Sequence, residues 1–137
     1  MDVMDTMESV EFIGTVHTPL KQMGDCPLQE SEGAPVGILR IDEKYLQALS
    51  GLTRGSKVIL LTWLHKSDRH ILTTKPRNNP NAKTTGVFAT RSPDRPNPIG
   101  LHEAEILSIS PKGEIIVSKL EVLDGTPLID IKPVLDH

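Results

Sequence analysis

Short apolar runs, each broken off by glycine, proline or a polar cluster, succeed one another along this chain, and that rhythm predicts strands joined by turns. Val10 to Val16 is the first predicted strand. Thr18 to Pro35 holds three prolines together with Gly24 and Gly33 and reads as a loop. Val36 to Ile41 is a second strand. Asp42 then stands as the N-cap of a short helix through Leu49, with Glu43 and Lys44 in the first turn and Gly51 beyond its end. Tyr45, Leu46 and Leu49 give that helix an apolar face. Lys57 to Leu64 is apolar at nearly every position, which predicts a strand buried on both faces.

A long polar segment follows, His65 to Thr85. Connections of that length are usually functional or mobile. Ala104 to Ile109 and Glu114 to Leu120 form a predicted hairpin across Pro111-Lys112-Gly113, and Leu128 to Ile131 is a last strand stopped by Pro133. No repeat, low-complexity tract or heptad pattern interrupts the series. The expected fold is mainly β, a small barrel or sandwich with one short helix and long loops.

Length leaves that picture as one domain over residues 1–137, with residues 1–9 expected to be flexible. No apolar run approaches the roughly 20 residues of a membrane span. Met1 to Glu11 carries Asp2, Asp5, Glu8 and Glu11, not the basic-then-apolar order of a signal peptide, so a cytoplasmic protein is expected. The single cysteine, Cys26, has no internal partner for a disulfide. Aromatic residues are 3% of the chain, too few for a platform on which single-stranded bases stack.

Charge adds an asymmetry that the net value of −3 conceals. From Arg54 to Arg95 there are nine basic residues against two acidic ones, while the remainder holds six against sixteen. Either one positive face attracts a polyanion, or the charges are dispersed over a solvated segment.

Gly86 to Leu101 reads Gly-Val-Phe-Ala-Thr-Arg-Ser-Pro-Asp-Arg-Pro-Asn-Pro-Ile-Gly-Leu. Pro93, Pro96 and Pro98 restrict its backbone and bias Ser92, Arg95 and Asn97 towards extended conformations. By loop character alone it either connects strands or frames a ligand with Arg91 and Arg95. This stretch closely resembles the signature of the TsaA-like family, named for the tRNA methyltransferase TrmO. Asp124-Gly-Thr-Pro-Leu-Ile-Asp-Ile-Lys-Pro133 resembles the family's second signature, and Ile13-Gly-Thr-Val-His-Thr-Pro-Leu-Lys21 its N-terminal strand and turn. The three segments occur in the family's order across nearly the whole chain.

The resemblance implies a β-barrel that binds S-adenosylmethionine near a homodimer interface and methylates N6 of threonylcarbamoyladenosine beside the anticodon of tRNA. It also implies donor contacts from Gln29, His65, Lys66, Arg91, Leu101, Asp124, Gly125, Thr126 and Pro127. Arg91 suits a carboxylate or phosphate because its guanidinium is planar and permanently charged. Arg95 either braces the loop or meets substrate. Asp124 and His65 are candidate proton acceptors, and Arg91, Arg95 or Lys66 a source of charge stabilisation. Two positions depart from the family: the triplet is Pro27-Leu28-Gln29 where relatives have Pro-Arg-Gln, and His102 replaces a small residue. Relatives known as tRNA enzymes often continue into a C-terminal region, so Arg54 to Arg95 is expected to supply more of the phosphate contact here.

Other chemistries find little support. There is no dinucleotide-binding glycine fingerprint and no alternation of strand and helix, which disfavours a Rossmann-type methyltransferase. His17, His65, His70, His102 and His137 share no spacing with common zinc motifs, and no metal is expected. Ser92 has no nucleophile-elbow context. The alternatives that stay open are a non-catalytic S-adenosylmethionine or nucleoside-binding module and an RNA-binding barrel.

Overall fold

The computed structural model describes residues 8–20, 36–75, 81 and 83–135. Six strands close into an antiparallel barrel: β1 (Gly14–His17), β2 (Gly37–Ile41), β3 (Lys57–Trp63), β6 (Ile99–Ile109), β7 (Glu114–Val117) and β8 (Thr126–Pro133). The order around it is β1-β2-β7-β6-β3-β8, and β1 pairs with β8 to complete the circle. Closure leaves no open edge in this sheet. Two further strands, β4 (Thr73–Thr74) and β5 (Thr85–Gly86), make a separate ladder of two residue pairs within the long polar connection.

Alternation explains what fills the barrel. Val58, Leu60 and Thr62 of β3 point inward, and so do Leu39 of β2, Ile106 of β6, Ile115 and Val117 of β7 and Leu128 of β8. Burying each large aliphatic side chain contributes roughly 1.5–3 kcal/mol, so this layer is the main source of stability. β3 is not buried on both faces as expected. Its outward residues Ile59, Leu61 and Trp63 are half-buried, because a barrel has one interior and their flanking partners are the outward Glu103, Leu101 and Asp130 of β6 and β8. Trp63 gains cover from Arg69, whose guanidinium lies 5.1 Å from the ring centre.

The predicted helix occupies Glu43–Leu49 but is a 3-10 helix. Leu46, Leu49 and Leu52 recur every third residue, the spacing that aligns side chains on a three-residue turn, and all three pack against the core. Asp42 sits at its N-cap position without a side-chain capping bond. The segment covers one end of the barrel beside the β6–β7 turn, where Gly113 has φ +90° and a Cβ would meet Leu46 and the Ile41 carbonyl.

Other boundaries moved for local reasons. β1 begins at Gly14 instead of Val10, since Ile13 is the first residue whose backbone finds partners on both sides, Leu128 and Asp42. β6 begins at Ile99, five residues before the expected Ala104, because its first half pairs with β3 and only its second half with β7. The proline-rich stretch is therefore strand at both ends, with a 3-10 turn at Val87–Ala89 between. The flexible start expected at residues 1–9 falls mostly on 1–7, outside the described residues, as do Cys26, Gln29, Arg77 and His137.

At the end of the barrel away from the 3-10 helix, β1 and β3 finish while β6 and β8 begin. Three buried hydroxyls cluster there, each satisfied. Thr18 Oγ1 donates to the Val122 carbonyl at 2.6 Å, Thr126 Oγ1 donates to the Leu123 carbonyl at 2.7 Å, and Thr62 Oγ1 lies 3.1 Å from His102 Nε2. Among the described residues the buried polar side chains gather where the cleft described next opens.

Candidate functional site

A cleft of about 1040 Å³ opens at this end. One wall is Leu64 to Ser67, the turn that leaves β3; a second is Ala89 to Pro93 with Arg95. The floor is the start of β6 from Ile99 to His102, and the far side is Glu121 to Leu123 with Thr126.

The loop wall is rigid because its own polar groups hold it. Arg95 Nη2 donates to the Val87 carbonyl at 2.6 Å, and Nη1 donates to the carbonyls of Thr90 and Ser92, both at 3.0 Å. Thr90 Oγ1 donates to the Val87 carbonyl and accepts from the Ser92 amide. The rear of the loop is fastened to the turn after β3. Asp94 accepts from the Asp68 amide at 2.8 Å, and Arg69 Nε donates to the Pro96 carbonyl at 2.7 Å while its Nη2 reaches Asn97.

Arg91, by contrast, is exposed on the cleft wall and makes no hydrogen bond or ion pair among the described residues. Lys66 on the opposite wall is in the same condition. His65 is exposed beside it. Of the residues expected from the sequence, the cleft thus brings together His65, Lys66, Arg91, Arg95, Leu101 and Thr126.

Asp124, Gly125 and Pro127 are adjacent to the cleft, not on its lining. They belong to a turn from Leu123 to Thr126, closed by the Thr126 amide on the Leu123 carbonyl, with Gly125 at φ +83° as the third position of such a turn requires. The Asp124 carboxylate accepts from the Thr18 amide at 3.1 Å and lies 3.5 Å from His17 Nδ1. The Asp124 and Gly125 amides donate to the carbonyls of Leu20 and Val16. This turn is consequently laced to the end of β1. Pro127 pairs with Thr15 inside the barrel ladder.

Glu121 and Lys75 also line the cleft, and sequence reasoning did not single them out. Glu121 stands three residues before Asp124, which was the only available signal. His102 lies on the floor over Gly100, where an added Cβ would come 2.5 Å from Thr62 Oγ1 and 2.8 Å from the imidazole. Gly100 is thus required by the side chains stacked on it. The basic stretch divides between the two ends: Arg54 and Lys57 lie at the start of β3, whereas Lys66, Lys75 and Arg91 surround the cleft. Among the described residues no three His, Cys, Asp or Glu side chains gather to hold a metal ion.

Both the sequence and the fold of this chain have counterparts in known proteins. The chain is 41% identical over 125 residues to the probable S-adenosyl-L-methionine-binding protein VirR of Rhizobium radiobacter, covering 91% of this chain and 70% of that one. A probable S-adenosyl-L-methionine-binding protein of Methanothermobacter thermautotrophicus is 42% identical over 132 residues, 95% and 93% of the two chains. The crystal structure of TrmO from Pseudomonas aeruginosa superposes with a TM-score of 0.75 at 30% identity, covering 94% of this chain and 56% of that one, so this chain spans little more than half of that structure. The profile of the tRNA-methyltransferase O N-terminal domain matches residues 15–137, and with both walls of the cleft inside that span the chain belongs to this family.

Proposed function

We propose that this chain transfers a methyl group from S-adenosylmethionine to N6 of a threonylcarbamoyl-modified adenosine beside the anticodon of tRNA, acting in the cytoplasm as a homodimer. The observation that carries the reading is Arg91, an unpartnered guanidinium among the described residues, held on the wall of a cleft with an apolar floor. A fork of fixed donors suits the carboxylate of an amino-acid moiety. The volume, at the upper end for small-molecule sites, leaves room for an adenosine beside the donor.

The donor supplies a methyl group already activated on a sulfonium. What remains for the protein is alignment and the exclusion of water. Arg91 would hold the carboxylate end, Leu101 and Val122 would cover apolar surface, and Thr126 would bound the nucleoside beside the Asp124 turn. Gln29 stays in the proposed donor set by resemblance. The N6 proton must leave for the nitrogen to become a competent nucleophile. Of the two acceptors expected from sequence, His65 lines the cleft, whereas the Asp124 carboxylate is engaged with Thr18 and His17 behind it, so we assign the proton to His65. Lys66 and Lys75 at the mouth would meet RNA phosphates.

Apolar side chains at the cleft end support the homodimer. Phe88 is 83% exposed and Leu72 66% exposed, joined by the Val87 amide bond to the Leu72 carbonyl, and Ile99 and Leu101 are exposed on the floor. A second subunit would cover them and wall the donor. The test is transfer of label from S-adenosylmethionine to tRNA with and without the threonylcarbamoyl group. Label in the modified tRNA alone supports the reading; tight donor binding without transfer replaces it with a non-catalytic binding module.

A further inference from the structure

The loop over residues 87–98 contains two arginines put to different uses. Arg91 faces the cleft without a described partner, while Arg95, four residues on, directs three hydrogen bonds at backbone carbonyls of its own loop. Two of those carbonyls belong to Thr90 and Ser92, the residues on either side of Arg91. The Thr90 carbonyl lies in the peptide plane before Arg91 and the Ser92 carbonyl in the plane after Ser92, while the plane between them carries the Ser92 amide, held by Thr90 Oγ1. With all three fixed, the direction in which the Arg91 side chain leaves the backbone is restricted. The third carbonyl, Val87, is shared with the Thr90 amide and hydroxyl, so the bracing reaches back to the 3-10 turn.

We infer that Arg95 is a positioning residue for Arg91. Its charge is directed at the loop backbone, and its effect on the donor passes through Arg91. This inference rests on reading the cleft as the donor site. An ammonium group is a compact charge with no planar fork and does not reproduce simultaneous bonds to Val87, Thr90 and Ser92. The rear of the loop is held independently by Asp68 and Arg69, so loss of Arg95 frees residues 90–92 and leaves the loop attached.

The experiment is a double-mutant cycle on the full chain, comparing wild type, Arg91→Ala, Arg95→Ala, Arg95→Lys and the double alanine variant. Calorimetry reads S-adenosylmethionine affinity, and amide hydrogen exchange without ligand reads the loop. Arg95→Ala and Arg95→Lys each weaken donor binding about tenfold, whereas Arg95→Ala in the Arg91→Ala background adds less than about twofold. The Thr90 and Ser92 amides exchange about tenfold faster without Arg95 and the Leu60 amide is unchanged. Losses that multiply in the double variant would show that Arg95 meets the donor itself and overturn the inference, as would wild-type affinity in Arg95→Ala. Should wild type bind no donor, the reading of the cleft fails, while the exchange data still decide the brace: equal exchange at Thr90 and Ser92 rejects it.

Discussion

The Asp124 carboxylate accepts a hydrogen bond from the Thr18 amide, 106 residues earlier in the chain, at 3.1 Å. Together with the Gly125 amide on the Val16 carbonyl and Thr18 Oγ1 on the Val122 carbonyl, it joins the end of β1 to the far side of the cleft. Asp124→Ala leaves the Thr18 amide without this acceptor in a part-buried setting, at a cost of about 1–3 kcal/mol. Chemical denaturation is expected to show that loss, with a smaller one for Asp124→Asn, which keeps a carbonyl oxygen.

Arg91→Ala tests the opposite kind of residue. An exposed side chain without described partners contributes little to folding, so the unfolding free energy should change by less than about 0.5 kcal/mol. Donor affinity should fall about ten- to a hundredfold, the range for a lost charged hydrogen bond. Calorimetry and denaturation on the same preparation check both halves.

Gly100→Ala places a methyl group 2.5 Å from Thr62 Oγ1 and 2.8 Å from His102 Nε2. Thr62 is fully buried and has little room to withdraw, so strain persists at that contact even when the imidazole shifts across the cleft floor. Overpacking of this kind costs about 1–3 kcal/mol. A lowered melting temperature together with weaker donor binding is the expected pair of results.

Phe88→Ser removes an aromatic ring that is 83% exposed, and folding of the single subunit should be unaffected. If the second subunit sits on this rim, sedimentation will find the variant shifted to monomer at concentrations where wild type is dimeric. An unchanged sedimentation coefficient would place the interface elsewhere.

Much of the barrel was legible because its physics is local. Leu39, Val58, Leu60 and Ile115 sit in short apolar runs that announce strands, and Pro111-Lys112-Gly113 announces a turn in which Gly113 takes a positive φ. The β4–β5 ladder was not legible, since two threonine-rich pairs leave no period to detect. Nor was the 3-10 form of Glu43–Leu49, because Tyr45, Leu46 and Leu49 also fit an α-helical face. At the site, Arg91 and Arg95 look equivalent in sequence. Their division of labour follows from the direction of three carbonyls, which no residue pattern encodes.

Pairing of β1 with β8 also bears on how the molecule is made. Strands drawn from opposite ends of the described chain must meet, and the entropy of closing so long a loop has to be overcome before their contacts form. Folding dominated by such pairings is slow, and a ribosome delivers β8 after the other barrel strands. The far side of the cleft hangs on that same junction, through Thr18, Val16 and the Asp124 turn. A barrel in which β1 and β8 have not yet paired lacks both part of its core and the far side of its cleft, so ligand binding is expected to report closed barrels alone.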